Sequence, residues 1–333
     1  LFKFISEDVR SYLLVFGVTS LDQLVGHADL LGLDSTSSDI TKSLHKILIN
    51  AVSDEKHPGF ERHKEGRLSR RITTEVIKAI VSERESFLQY PISNVDRSIG
   101  ARISGEIILR KLSDEVLKYP TTINLTGAAG QSFGAFLTDG ISLKLTGSAN
   151  DYVGKGMGGG NITIIPQGKK MQYAYHAAGN AIVYGATGGQ LFISGTVGQR
   201  FAVRNSGAIA VIEGCSAHGA EYMTGGTIVI LGKIGFNFGA GMTGGKAIVL
   251  RTQSNFGEYI STTAPMYKKP TEIDLLDLQS LITLHIEKTG SQVATELLSR
   301  RAEWEEMFYV FGGLQHNEIF DISAIKQTAI ALD

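Results

Sequence analysis

Cysteine is nearly absent from this chain. Its 333 residues carry one, Cys215. That excludes an internal disulfide, a cysteine-rich zinc site and an iron–sulfur cluster held by this chain alone. An excess of either charge is also missing: 32 Lys and Arg stand against 33 Asp and Glu, a formal net charge of −1. Without a bulk positive field, neither nucleic acid nor an acidic membrane surface is an expected partner. No run approaches the ~18 apolar residues of a membrane span. No basic stretch followed by an apolar one marks a signal peptide. The first residue is Leu rather than Met. The expectation is a chain that begins upstream, with part of the function encoded there.

What is present is unevenly spread. The length suits about two domains, and 43% hydrophobic residues is ordinary for a chain with a sizeable core. Of the 39 glycines, 28 lie in the 119 residues 127–245. The same stretch holds only 7 basic and 4 acidic residues. So sharp a shift marks a separate architecture, and its Ile, Val and Leu content excludes a disordered glycine tract. The flanks read as helical. Phe4, Ile5, Val9, Tyr12, Leu13 and Phe16 fall at helical spacing before a C-capping Gly17. Ser20 and Gln23 form a candidate capping box. Ile40, Leu44, Ile47 and Leu48 suggest another helix, and Leu68 to Val81 carries the strongest helical stripe. Residues 32–39 and 54–67 read as loops. Residues 278–288 and 293–308 read as helical.

Inside the glycine-rich stretch a unit recurs, a glycine turn followed by a short β-branched run. The runs are 141–145, 161–165, 190–194, 208–212, 227–231 and 246–250. The glycines that precede them (140, 160, 189, 207, 226, 245) are spaced 20, 29, 18, 19 and 19 apart. The long step contains an inserted loop, 166–180, and one extra predicted strand at 181–184. A period near 20 with one strand per unit is the signature of stacked repeats, because one unit cannot bury its apolar face and a stack can. The expected fold is mainly β: a right-handed parallel β-helix of about six or seven turns with glycine at each corner, covered at its ends by the flanking helical segments. The expected divisions are a mostly helical 1–93, a β-helix 94–260 and a helical cap or tail 261–333.

Candidate chemistry is sparse. Gly154-Lys155-Gly156-Met157-Gly158-Gly159 matches GxGxxG, but a strand follows it where a dinucleotide fold needs a helix, so it reads as a repeat corner. Gly245-Lys246 lacks the remainder of a P-loop, with Ala240 and Ala247 at the decisive positions. Cys215, His218 and Glu213 lie close enough in sequence to suggest a nucleophile and base, though a lone thiol is more often inert. A polysaccharide-cleaving β-helix would need clustered carboxylates. Asp139, Asp151, Glu213 and Glu221 fall at −1, −9, +6 and −5 from their nearest corner glycine and share no register. Asn124 and Asn161 head glycosylation sequons that read as strand residues. Asp96, Arg97 and Arg102 read as an ion pair or cap. His176, beside Tyr173 and Tyr175, reads as a loop histidine. No catalytic, cofactor-binding or metal-ligating residue is assigned.

Several stretches together resemble one family. They include Asn94-Val95-Asp96-Arg97-Ser98-Ile99-Gly100, Gly130-Gln131-Ser132-Phe133-Gly134, and Ala149-Asn150-Asp151-Tyr152-Val153-Gly154-Lys155-Gly156. Further along come Tyr184-Gly185-Ala186-Thr187-Gly188-Gly189, Arg200 to Ala208, Glu221 to Gly226 and Asn237 to Gly245. The text resembles the C-terminal region of the glutamate synthase large subunit, including its GXGXG β-helix domain, most densely over 94–250. His27-Ala28-Asp29 replaces a Gly-Arg-x-Asp-like stretch, and from about Glu303 the text departs from the family. The resemblance implies a non-catalytic spacer between an amidotransferase domain that releases ammonia from glutamine and an FMN barrel that makes glutamate from 2-oxoglutarate. FMN and an iron–sulfur cluster are then expected upstream of Leu1 and no cofactor in this chain. The implied partners are those two domains and, as electron source, a small FAD/NADPH subunit or ferredoxin, with no nucleic acid and no membrane. The implied location is cytoplasmic, or a plastid in a photosynthetic eukaryote. The alternative resemblance is to a stand-alone scaffold subunit docked on another redox enzyme, as in formylmethanofuran dehydrogenase. A β-helix carbohydrate-active enzyme is the third reading.

Overall fold

The computed structural model describes residues 2–30, 66–167 and 175–312. The predicted helix at 40–48, the predicted loops at 32–39 and 54–65, and Tyr173 lie outside the described residues. The chain divides into two units, 1–64 and 65–333.

In the first unit, α1 (Phe2–Val15) follows the predicted stripe. Gly17 ends it with φ +69° and an N–H bond to Leu14 O at 3.1 Å. The capping box at Ser20 does not form, because Gln23 Oε1 accepts from the Thr19 N–H instead, at 2.7 Å. The turn there is only three residues long, Leu21–Gln23, so Gln23 bonds one residue before the predicted cap.

The second unit is built on a 12-stranded sheet, mostly parallel and open. It begins with α2 (Arg67–Val81), β1 (Ser86–Ile92), α3 (Ala101–Leu109) and α4 (Ser113–Lys118). The strands follow: β2 (Thr121–Ala129), β3 (Ile141–Ala149), β4 (Gly158–Ile165), β5 (His176–Ala178), β6 (Gly188–Ile193) and β7 (Thr196–Val197). Then come β8 (Ser206–Ile212), β9 (Thr224–Ile230), β10 (Gly244–Leu250), β11 (Tyr267–Lys268), α5 (Glu272–Thr289), α6 (Gln292–Ser299), α7 (Trp304–Met307) and β12 (Phe308–Gly312). The main ladder runs β1-β2-β3-β4-β6-β8-β9-β10-β12-β11. All six predicted runs lie in it. The sequence reading missed β1, β2, β11 and β12, which lie outside the clean period, the short β7, and β5, which falls in the predicted loop 166–180.

Register lines up equivalent residues. Ile123, Leu143, Ile162, Leu191, Ala210, Ile228 and Ala247 are successive partners across the ladder. All seven are buried in one core, and each large one contributes roughly 1.5–3 kcal/mol. The other face of the sheet changes along the stack. In β3 it is polar and the burial alternates. The last four strand residues of β9 and β10 and the last three of β8 are all buried, because α5 and α6 lie on that face. Phe192, Val211, Val229 and Ile248 pack there against Leu278, Leu281, Ile282 and Trp304. A strand covered on both sides loses its alternation, which is why these runs read as continuously apolar.

The ends are closed differently. β12 runs antiparallel to β10, pairing Val310 with Ile248, so the last parallel edge is covered by a reversed strand. The predicted helix over 293–308 is thereby cut short. It becomes α6, a turn at 301–303 and α7, and the chain turns into β12 at Phe308. Helix α5 starts on a capping box, with Thr271 and Asp274 exchanging hydrogen bonds, and ends on Gly290 at φ +66°.

Candidate functional site

The segments between strands build a second wall. Six five-residue strips, 132–136, 152–156, 181–185, 200–204, 218–222 and 237–241, share one backbone pattern. Their first, third and fifth residues all have positive φ. Alternation of hand turns alternate N–H groups in opposite directions. The first and fifth bond to the following strip: Ser132 N–H donates to Asp151 O and Phe136 N–H to Lys155 O, both at 2.8 Å. The third bonds back to the preceding strip, as with Gly154 N–H to Phe133 O at 2.9 Å and Ala220 N–H to Phe201 O at 2.7 Å. The last strip has no successor. Tyr259 O accepts the Phe238 N–H at 2.9 Å and Thr263 Oγ1 accepts the Gly241 N–H at 3.1 Å, so the following loop completes it.

This pattern corrects two expectations. The predicted strand at 181–184 is one of these strips, with Ala181 at φ +57° and Val183 at +51°. Glycine is also not needed at every corner: twelve of the eighteen positive-φ strip positions carry a side chain. A left-handed L-residue costs roughly 1–2 kcal/mol. Such strain persists only where the surroundings over-determine the backbone, and here the bonds to both neighbouring strips do so. A third, short ladder joins Ala149, Ala178, Val197 and Cys215.

The sequence candidates are dispersed over these walls. Cys215 is buried, and its burial pushes the thiol up to about 12. His218 Nδ1 lies 2.7 Å from Glu221 Oε1, which also accepts from Asn237 Nδ2 at 2.9 Å. Among the described residues no hydrogen bond joins His218, Glu221 or Glu213 to the thiol. Glu213 Oε1 accepts from Ser194 Oγ at 3.1 Å and from Ser291 Oγ, the N-cap of α6, at 2.6 Å. Asp139 Oδ1 accepts the Gly160 N–H at 3.1 Å and Asp151 Oδ1 the Asn180 N–H at 2.6 Å. The four acids therefore serve four separate sets of donors. Asn124 and Asn161 lie on β2 and β4. Asp96 Oδ2 caps the Ser93 N–H at 2.9 Å, and Arg102 lies 3.8 Å from Glu106. His176 sits on β5, with Nδ1 3.4 Å from Thr196 Oγ1. The GxGxxG stretch spans the second strip and the start of β4.

Two polar clusters emerge only in three dimensions. Lys246 Nζ lies 2.8 Å from both Asp274 Oδ1 and Asp277 Oδ2 and ties α5 to β10. Burial depresses the Lys246 ammonium, but the hydrogen bonds to Asp274 and Asp277 outweigh it and hold the group above its ordinary value. Burial likewise pushes the Asp274 carboxyl up, and the bonds from Lys246 and Thr271 bring it below its ordinary value. In the second cluster, the buried His285 ring places Nε2 3.6 Å from Glu213 Oε1. Carboxylates far apart in sequence carry no local signal for either cluster. Among the described residues no group of three or more His, Cys, Asp or Glu is placed to hold a metal ion, and no helix is long and apolar enough to cross a membrane.

A stacked wall of left-handed glycine-type strips beside a parallel ladder defines the class, and the family model described as GXGXG motif matches residues 69–312. The chain belongs to that family. It is 39% identical over 322 residues to the protein named ferredoxin-dependent glutamate synthase 2, chloroplastic, of Arabidopsis thaliana, covering 93% of this chain and 20% of that protein. It is 39% identical over 324 residues to ferredoxin-dependent glutamate synthase 2 of Synechocystis (92% and 20%). It is 38% identical over 309 residues to glutamate synthase [NADH] of Schizosaccharomyces pombe (90% and 15%). The chain spans about a fifth of the length of these relatives.

Proposed function

We propose that this chain is the structural module of a glutamate synthase, in which the three ladders are the walls of a right-handed parallel β-helix. In such an enzyme glutamine, 2-oxoglutarate, two electrons and two protons yield two glutamates. The module supplies no reacting group. It holds the amidotransferase and FMN-barrel domains of the same enzyme at a set separation. We place the β-helix at 94–260, after a mostly helical 1–93 and before a C-terminal cap from 261. FMN and the iron–sulfur cluster belong to the barrel; one buried thiol does not fit a cluster ligand set. Ferredoxin or a reduced nicotinamide, through a small FAD subunit, supplies the electrons. A cytoplasmic or plastid location goes with this reading.

The observation that carries it is the strip wall, where strip N–H groups bond to a neighbouring strip or to the closing loop. Backbone bonded on both sides is stiff, and a stiff post can hold two centres in a fixed relation. The test uses the full-length enzyme that carries this chain. A Gly147→Ala substitution, which should spring the module open, is expected to leave glutamine hydrolysis intact. Glutamate formed per glutamine hydrolysed should fall and free ammonia should appear. Unchanged coupling in an enzyme whose module is demonstrably loosened would overturn the reading.

A further inference from the structure

Two neighbouring strips carry exposed arginines and a tyrosine at positions of left-handed backbone. The fifth strip position is glycine in three strips, Gly156, Gly185 and Gly241, Phe136 in the first, and Arg204 and Tyr222 in two adjacent ones, at φ +55° and +52°. Arg200 opens the strip of Arg204, at φ +62°. Arg200, Arg204 and Tyr222 are exposed. Neither arginine side chain has a hydrogen bond or ion pair among the described residues, although the Arg200 and Arg204 N–H groups donate to the Ala217 and Glu221 carbonyls at 3.0 and 2.9 Å. The Glu221 carboxylate is held by His218 and Asn237. Tyr222 lies flat across the next strip, where a Cβ on Gly241 would meet its ring at 2.6 Å. Two strips before Arg204, Lys155 sits 5.2 Å over the Tyr152 ring. Among the described residues the wall thus shows three cations without a carboxylate partner, beside the exposed Tyr222 ring and the half-buried Tyr152 ring.

The inter-strip bonds hold the backbone left-handed here as in the other strips, and neither arginine side chain meets an acceptor among the described residues. Two exposed arginines on one strip with no side-chain partner among the described residues form a patch open to carboxylates from outside. Arginine and tyrosine are the residues that carry most binding energy at protein interfaces, and unpaired arginines recognise carboxylates in bidentate geometry. Resting on the glutamate synthase reading, we propose that this wall is a docking face for an acidic surface on another domain of the same long enzyme. Arg200, Arg204 and Lys155 would take its carboxylates, and Tyr222 would bear on its apolar rim.

The test is arginine and lysine footprinting of the full-length enzyme with phenylglyoxal and a zero-length carbodiimide, read by mass spectrometry. Arg251 is also exposed and serves as reference. Arg200 and Arg204 are expected to react at least tenfold more slowly than Arg251 in the native enzyme and equally fast in urea. Lys155 should cross-link to an Asp or Glu outside residues 1–333. Arg204→Gly should raise the urea midpoint of the module while reducing that cross-link; Arg204→Lys should keep it. If Arg200 and Arg204 react as fast as Arg251 while another face of 65–312 is protected, the docking proposal falls and the spacer reading stands. If no face of 65–312 is protected, both fall.

Discussion

Gly147 and Gly185 both have positive φ, yet an added methyl should act very differently at the two. At Gly185, φ is +61° and a Cβ would meet nothing within 4 Å. Gly185→Ala then costs only the left-handed penalty of roughly 1–2 kcal/mol, offset by about 0.4–1 kcal/mol from the stiffer unfolded chain. The net loss is about 1 kcal/mol. At Gly147, φ is +148° and a Cβ would lie 1.7 Å from the Gly127 carbonyl oxygen. That oxygen is backbone of the paired strand, in register at Gly127↔Gly147, so no rotamer change can relieve the overlap. Relief requires parting β2 from β3 locally. Strain of about 1–3 kcal/mol and two or three ladder bonds at about 1 kcal/mol each put the loss at roughly 4 kcal/mol. With a urea m-value of about 3 kcal/mol/M, Gly185→Ala should lower the midpoint by about 0.3 M and Gly147→Ala by more than 1 M. Circular dichroism and the fluorescence of Trp304 both report the transition. Equal shifts for the two variants would show that close approach between turns does not set the glycine requirement, and the reasoning about the stack would fail.

Lys246→Met leaves two carboxylates facing each other without their cation and should cost about 2 kcal/mol, below the loss for a fully buried pair because the lysine is partly exposed. The pH dependence follows from the two shifts. Asp274, held below its ordinary 3.8, contributes stability that is full above that value and drains as pH falls through the lower folded value. Lys246, held above its ordinary 10.5, contributes stability that is full below 10.5 and drains as pH rises through the higher folded value. Denaturation across pH should show a smaller acid-side loss in Lys246→Met than in the wild type, because without the ammonium burial moves the folded Asp274 carboxyl back up and the depression that drives the loss is gone. The Cys215 thiol, pushed up to about 12, should resist a disulfide reagent at pH 8 in the native protein and react once urea unfolds it; fast native labelling would contradict its burial. Trp304, the single tryptophan, donates Nε1–H to Leu297 O at 2.8 Å. Trp304→Phe should therefore lose roughly 1–3 kcal/mol, measured by thermal or urea unfolding.

The repeat was legible because it is local. A glycine turn and a short apolar run return about every 20 residues, and each copy shows its own strand whatever it packs against. Strands β3, β4, β6, β8, β9 and β10 could be read that way, as could α1, α2 and α5. The walls between them were not. A strip such as 181–185 has the residue types of a strand, and its alternating hand follows from hydrogen bonds to strips 29 residues before it and 19 after it. The roles of Lys246 and Glu213 were hidden for the same reason, since their partners Asp274, Asp277 and Ser291 come from helices laid down later. Sequence alone therefore determined the step of the stack and the composition of its turns, because turn chemistry and strand periodicity are properties of neighbouring residues. Tertiary structure decided which face α5 covers, how β12 reverses to close the last edge, and which left-handed side chains of the strips are exposed, because each depends on contacts between segments far apart in the chain.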